Sequence, residues 1–381
     1  MCLSDPSTMP NTLNIHTIIE TALQSKASDI ILKAGAVPAF RIDGKLVPTM
    51  LAKLNASMMR ELAFEILCSC SRDRMLSGHE DAEDTESLMK RLDRLEELDM
   101  VFTVPNRVRV RANLFLEGGT IGITLRVLRL HPATLEELHL PFVLKKQALE
   151  PHGLIIITGP TGSGKTTTMA ALIEEINLCR NANIFTIEDP VEYLFEDKRS
   201  VIHQREVGRD THSFATALRS VTRQTPDVIA IGELRDRETM EVALSASEIG
   251  HLVITTLHTT TAANTLDRIV HSFPDHLSSK ICQQISASLL CITSQRLLPH
   301  ASGVGRIPAV EVLINSPTIR KHLEQGETHD LPGLMRDGAH FGMNTLNQAL
   351  ANLCEKQTVQ ESVALQFTSN PSELKQLLRQ Q

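Results

Sequence analysis

The stretch Gly159-Pro160-Thr161-Gly162-Ser163-Gly164-Lys165-Thr166 limits what this chain can fold into more than any other. It satisfies G-x-x-x-x-G-K-[ST], follows the apolar run Leu154–Thr158 and precedes a helix-forming segment, Thr167–Leu178. A strand, a glycine-rich turn and a helix in that order build a cradle for phosphate. Glycine lets successive backbone N–H groups converge on phosphate oxygens with no Cβ in the way. The helix N-terminus adds the positive end of a dipole. Lys165 supplies a full charge for the β- and γ-phosphates, and Thr166 a hydroxyl for Mg²⁺. The candidate nucleotide-binding residues are thus Gly159, Pro160, Thr161, Gly162, Ser163, Gly164, Lys165, Thr166 and Thr167, with ATP and Mg²⁺ as the expected ligands.

Hydrolysis needs more than a phosphate cradle: a carboxylate for the metal and a group that orients water. Around the loop, Leu154–Thr158, Ile184–Ile187, Val228–Ile231 and Leu252–Thr256 are short, β-branched and apolar without alternation. Such strands are covered on both faces, which predicts a mainly parallel sheet flanked by helices. Ligands gather at the carboxyl ends of such strands. Two acidic clusters stand there, Glu188-Asp189-Pro190-Val191-Glu192 and Gly232-Glu233-Leu234-Arg235-Asp236. Glu233 is the candidate for orienting or deprotonating water, with Glu188 and Glu192 as alternates. Thr166, Glu188 and Glu233 are the candidate metal-shell residues. His251 and His258 bracket the fourth strand, either as ordinary structural histidines or as sensors of phosphate occupancy.

The first 130 residues read differently. A helical pattern at Ile18–Lys26 leads into a strand at Ser28–Leu32, and Asp43-Gly44 between two β-prone arms predicts a hairpin. Helical spacing over Leu51–Leu67 is followed by a polar stretch, Ser71–Glu97, read as a solvated helix or insert; between His79 and Glu97 it holds eight acidic and three basic residues. Strands resume at Glu97–Val104, and a turn at Pro105-Asn106 follows. Arg107-Val108-Arg109-Val110-Arg111 alternates, which sets Arg107, Arg109 and Arg111 on one strand face. Gly118-Gly119 is a turn before the strand Ile121–Leu128, which carries Arg126. The expected divisions are an N-terminal domain over 1–130, a linker over 131–152, an ATPase core over 153–315 and a helical region over 316–381.

Composition narrows the partners. With 38 Lys+Arg against 45 Asp+Glu the net charge is −7, and aromatic residues make up 3%. That balance disfavours a nucleic-acid backbone as ligand, so no nucleic-acid partner is expected. No apolar run approaches the roughly 18 residues of a membrane span, and Met1–Pro6 shows no signal-peptide pattern. Seven scattered cysteines suggest reduced thiols in a cytoplasm, and the close pair Cys68/Cys70 lacks the second pair of a zinc site.

Taken together, these motifs resemble the PilT/PilU group of type IV pilus ATPases within the type II/IV secretion ATPase superfamily. The resemblance rests on the phosphate loop, an aspartate box at Thr186–Tyr193, an acidic strand at Asp227–Asp236 and a histidine box at Gly250–His258. Gln204-Arg205-Glu206-Val207-Gly208, Leu266-Asp267-Arg268-Ile269, Ser294-Gln295-Arg296-Leu297 and Phe341-Gly342-Met343 extend it. So do Ala27-Ser28-Asp29 and Arg109-Val110-Arg111-Ala112-Asn113-Leu114-Phe115. The resemblance implies an α/β protein with an N-terminal PAS-like α+β domain, a RecA-like P-loop ATPase domain and a helical tail. It implies a homohexamer that converts ATP hydrolysis into retraction of a pilus. The ring would lie in the cytoplasm, docked on an inner-membrane platform protein and working with a paralogous pilus ATPase. In that family, arginines of the first domain reach the phosphates; the matching positions are Arg109, Arg111 and Arg126.

Some positions depart from the pattern. Ile31 stands where the family usually has His, and Gly118 replaces an Arg. The helix motif Ala-Ile-Arg-Asn-Leu-Ile-Arg reads Thr318-Ile319-Arg320-Lys321-His322-Leu323-Glu324. Arg223–Asp227 and Arg235–Met240 look PilU-like, which favours an accessory retraction role. The longer N-terminal region and tetracysteine element of extension ATPases are not seen. The competing function is a non-hydrolysing or weakly hydrolysing ATP-binding scaffold or switch in the same machinery. A RecA-like nucleic-acid motor and a P-loop nucleoside kinase fit less well.

Overall fold

Strand β5, Val108–Glu117, shows how the first sheet forms. Its side chains alternate, so Val108, Val110, Ala112 and Leu114 enter a core while Arg109, Arg111 and Asn113 take the opposite face. Arg107 falls in the preceding turn rather than on the strand. The computed structural model describes residues 13–76, 84–94, 97–105, 107–128 and 130–380. The readings made for Met1–Pro6, for much of the acidic insert, for Asn106 and for Arg129 lie outside the described residues. The chain divides into two compact units, Met1–Leu130 and His131–Gln381.

The first unit runs α1 (Ile15–Gln24), β1 (Asp29–Leu32), β2 (Ala39–Ile42), β3 (Lys45–Pro48), α2 (Ala56–Leu76), α3 (Thr85–Asp93), β4 (Glu97–Val104), β5 and β6 (Thr120–Leu128). Its sheet is antiparallel throughout, in the order β3-β2-β1-β6-β5-β4. The Asp43-Gly44 turn closes the β2–β3 hairpin with φ of 49° and 83°, and Gly118-Gly119 closes β5–β6 with 54° and 79°. Both residues of such two-residue turns need positive φ, which is why Gly suits position 118. Helix α1 is capped by Asn14, whose Oδ1 accepts from the Thr17 N–H at 2.8 Å. It buries Ile15, Ile18 and Ile19 against the sheet together with Leu62 and Ile66 of α2.

The second unit opens with α4 (Phe142–Ala148), β7 (Gly153–Thr158), α5 (Lys165–Cys179), β8 (Asn183–Glu188), β9 (Val201–Glu206), α6 (Phe214–Val221) and β10 (Val228–Ile231). It continues with α7 (Arg237–Glu248), β11 (Leu252–Leu257), α8 (Ala262–His271), α9 (Ser278–Ser288), β12 (Leu289–Pro299) and β13 (Arg306–Ile314). It ends in α10 (Pro317–Gln325), α11 (Leu331–Asp337), α12 (Leu346–Glu355), α13 (Glu361–Phe367) and α14 (Pro371–Gln380). Seven strands lie in the order β13-β12-β7-β11-β10-β8-β9, parallel except for the β12–β13 hairpin. Strand β7 explains the absence of alternation. Leu154 and Ile156 join one core with α7 to α10, while Ile155 and Ile157 join another with α4 and α5.

Within 131–152, the segment expected to connect the domains and to end in a helix, Leu135, Leu144 and Ala148 are buried in the core of the second unit. Strands β9, β12 and β13 fall outside the apolar pattern that marks the others: β9 is polar and lies at the sheet edge, and β12 and β13 carry buried polar residues. Among the described residues no helix is long and apolar enough to cross a membrane.

Candidate active site

Parallel register brings the chemistry to one edge of the second sheet. Thr158 pairs with Leu257, and Ile187 pairs with Ile231. The phosphate loop, Glu188, Glu233 and His258 therefore all leave strand carboxyl ends on the same side. His251 does not. It precedes β11, its carbonyl accepts from the Gly153 N–H at 3.1 Å and its Nδ1 lies 2.8 Å from the Pro226 carbonyl. The histidine stands at the amino ends of the strands, a whole strand length from the loop, so its expected role as a phosphate sensor does not fit.

The loop's shape follows from its glycines. Gly159, Gly162 and Gly164 have φ of 145°, 77° and 90°. At Gly159 a Cβ would meet the Gln295 carbonyl oxygen at 2.4 Å and Ser163 Oγ at 2.6 Å. The Lys165 ammonium donates to the carbonyls of Gly159 at 3.0 Å and Pro160 at 3.2 Å. Burial lowers its pKa and the nearby Glu233 carboxylate partly offsets this. Ser163 Oγ is buried with no hydrogen-bond partner in the protein. An orphaned hydroxyl beside a lysine whose ammonium is held by neutral groups, with no carboxylate among the described residues bonded to it, matches an anion that would satisfy both. Thr166, half-buried in the first turn of α5, is the hydroxyl available to a cation bound with that anion.

Beyond the loop, His258 bridges the base and acid candidates. Its Nδ1 lies 3.5 Å from Lys165 Nζ, and its Nε2 lies 3.5 Å from Glu233 Oε2. Burial and the Lys165 charge lower its pKa, which favours the neutral imidazole, while the Glu233 carboxylate opposes this. Donation from Lys165 to Nδ1 would leave the ring's N–H on Nε2, the nitrogen that faces Glu233. The other Glu233 oxygen lies 2.5 Å from Arg235 Nη2. Glu188 is enclosed, and burial raises its pKa to about 7 despite donation from Thr186 Oγ1 at 2.7 Å and Gln204 Nε2 at 3.3 Å. The Glu192 backbone N–H also bonds to Glu188, so Glu192 supports that carboxyl through its main chain.

The profile of the family described as type II/IV secretion system protein matches residues 6–327. The chain belongs to that family. It is 37% identical over 344 residues to the type IV pilus retraction ATPase PilT of Pseudomonas aeruginosa, covering 90% of this chain and 95% of PilT. It is 33% identical over 367 residues to the type IV pilus ATPase PilU of the same organism, covering 96% and 92%. A crystal structure of the pilus retraction motor PilT with bound ADP superposes with a TM-score of 0.81 at 38% identity, covering 96% of this chain and all of that one. This family member is thus a PilT-like, ATP-hydrolysing enzyme with a mixed α/β fold, and it binds nucleotide.

Several supporting residues of this secretion-family site escaped the motif reading. Gln295 of β12 accepts from Thr168 Oγ1 at 3.0 Å and donates to the Ser163 carbonyl at 2.8 Å, which ties the loop and α5 to the next strand. Gln204 of β9 also donates to the Tyr193 carbonyl, and the Tyr193 hydroxyl lies 2.9 Å from Thr167 Oγ1. Thr158 and Thr259 hydroxyls sit 2.5 Å apart, and Glu311 accepts from the Ala262 N–H at 2.8 Å. These contacts hold the loop that follows His258. For Gln295 and Glu311 the signal available in the sequence was a glutamine or glutamate inside an otherwise apolar strand, which needs a specific partner.

The three arginines belong to the first unit. Arg111 and Arg126 are directly opposed across β5 and β6. Arg126 Nε lies 2.9 Å from Asp29 Oδ1, and Arg111 Nη2 lies 2.8 Å from Asp99 Oδ2. Arg109 is buried on the same sheet face.

Proposed function

We propose that this chain is a ring-forming motor, a homohexamer that converts ATP hydrolysis into work on a type IV pilus-like machine, in retraction or accessory retraction. The carrying observation is the unbroken line Lys165–His258–Glu233, in which the phosphate-binding ammonium and the water-orienting carboxylate meet on one imidazole. A bound γ-phosphate would draw Lys165 from its loop carbonyls, and His258 would pass that change to Glu233. Glu233 then orients water for in-line attack, while the loop N–H groups and Lys165 stabilise charge on the phosphoryl oxygens. Mg²⁺, held by Thr166 with Glu188 or Glu233 in its shell, would supply further charge neutralisation.

The antiparallel order β2-β1-β6-β5-β4 supports a PAS-like reading of the first unit, and the parallel sheet with its phosphate loop supports a RecA-like reading of the second. Arg109, Arg111 and Arg126 are the groups we assign to completing a nucleotide site in the ring, by exchanging carboxylate partners for phosphate. The ring would stand on the cytoplasmic side of an inner membrane, docked through a platform protein, with a paralogous ATPase as co-worker. Substitution on the surface of α10 fits an accessory role: Ile319 and Leu323 are buried, whereas Thr318, Lys321 and Glu324 are exposed. Phosphate release measured across size-exclusion fractions tests the proposal. Turnover confined to the six-subunit fraction is expected; equal turnover in monomers would overturn shared sites.

A further inference from the structure

Helix α10 ends in a turn that gathers metal-ligating side chains away from the nucleotide site. Gly326 caps the helix with φ of 73°, and the Glu327 N–H bonds back to the His322 carbonyl at 2.9 Å. The turn folds Glu327 over His322, and Asp330 follows just before α11. His322 Nδ1 lies 3.1 Å from Glu327 Oε2 and 4.0 Å from Asp330 Oδ2. One ligand atom from each of the three residues falls within 4.8 Å of the others. Despite this crowding, His322 Nδ1 is enclosed and has no hydrogen-bond partner. A second imidazole stands at the rim, with His329 Nε2 3.4 Å from Asp330 Oδ2.

We propose that His322, Glu327 and Asp330 form a binding site for a divalent transition metal, Zn²⁺ in the first instance, that clasps the end of α10 to the start of α11. Tetrahedral zinc with bonds of about 2.0–2.2 Å sets its ligand atoms roughly 3.3–3.5 Å apart. The two separations from His322, 3.1 and 4.0 Å, bracket that value, and all three ligand atoms lie within 4.8 Å of one another, so the side chains need shift only by an ångström or so to close on an ion. Imidazole nitrogen mixed with carboxylate oxygen selects zinc, cobalt or nickel over calcium or magnesium. His329 is in reach as a fourth ligand. The metal would neutralise two carboxylates beside the negative end of α10.

The clasp has a definite neighbour. Thr328 Oγ1 donates to Asp267 Oδ1 of α8 at 2.6 Å, which ties the turn to the wall of a cavity of about 470 Å³. Asp267, Cys282, Leu323 and Glu324 line that cavity. Metal occupancy would stiffen one of its sides. His322 also falls within Thr318–Glu324, the segment in which this chain departs from the related helix motif.

The test uses full-length protein stripped with a chelator, desalted and titrated with Zn²⁺ by calorimetry in the absence of nucleotide. One equivalent per chain is expected, with affinity reduced about tenfold or more in both His322→Gln and Glu327→Gln. Co²⁺ should give the intense visible absorption of a tetrahedral site in the wild type only. Zinc should raise the thermal midpoint of the wild type and leave both variants unmoved, while their zinc-free ATPase activity matches the wild type. Glu327 is only half-buried, so its variant keeps the test open should His322→Gln fold poorly. Absence of stoichiometric zinc binding, or wild-type affinity in both variants, would overturn the site and leave the cluster as a packing contact at the end of α10.

Discussion

Glu188 carries the clearest pH signature in the molecule. An unfolded glutamate titrates near 4.5, whereas burial holds this one at about 7. Between those values the folded chain binds more protons than the unfolded one. The stabilising contribution is therefore full below the lower value, declines as pH rises and is gone above the upper one. Glu188→Gln should flatten the thermal midpoint between about pH 5 and 7, and an unchanged slope in that window would refute the assignment. For Glu233 the proposed role is different, orientation of water. Glu233→Gln should lower kcat by roughly 10²–10⁴-fold while nucleotide affinity moves little; steady-state phosphate release with a parallel binding assay checks both halves. Gln295 is a supporting residue whose two buried hydrogen bonds join Thr168 and Ser163. Gln295→Ala should cost about 1–3 kcal/mol of stability and raise KM for ATP, measurable by denaturant unfolding and initial rates.

Elements set the scale at which the phosphate loop succeeds or fails. The turn between β7 and α5 works because the chain passes within touching distance of β12 at Gly159. Gly159→Ala would force a Cβ into the Gln295 carbonyl at a φ of 145°. We expect a loss of at least 1–3 kcal/mol with nucleotide binding abolished, read by thermal shift with and without ATP. A variant that still binds ATP would mean the loop relaxes freely. The glycine spacing announced the turn itself, and the apolar runs announced β7, β8, β10 and β11. Strands β9 and β12 were not legible, because Gln204 and Gln295 look like surface residues until their partners on neighbouring strands are known. The same reasoning covers α4: Leu144 and Ala148 read as a short connector, and only the apposed face of α5 shows that they belong to a core.

For the whole molecule, the proposal that a ring assembles its nucleotide sites with arginines of the first unit sets the prediction. Within the first unit, Asp29 and Asp99 already hold Arg126 and Arg111. If these arginines complete a nucleotide site as proposed, a phosphate would have to compete with those carboxylates. Arg126→Ala should reduce kcat of the assembled ring by about 10-fold or more while the nucleotide Kd of the subunit is retained. Normal turnover in that variant would remove Arg126 from the reaction. Steady-state kinetics on the six-subunit fraction decides it.

Local order in the chain determined the phosphate cradle, the both-faces-buried strands and the family to which they belong, since these depend on residues near one another. Glycine, lysine and threonine in that spacing leave few other conformations or chemistries open. Tertiary structure decided the rest. Parallel register separated His258 from His251, two histidines that frame the same strand and look equivalent in the sequence. It also enclosed Glu188 and raised its pKa, and it brought Gln295 across from a strand more than a hundred residues away. Those outcomes depend on which strands lie side by side and on what water is shut out between them, and neither is encoded by any short stretch alone.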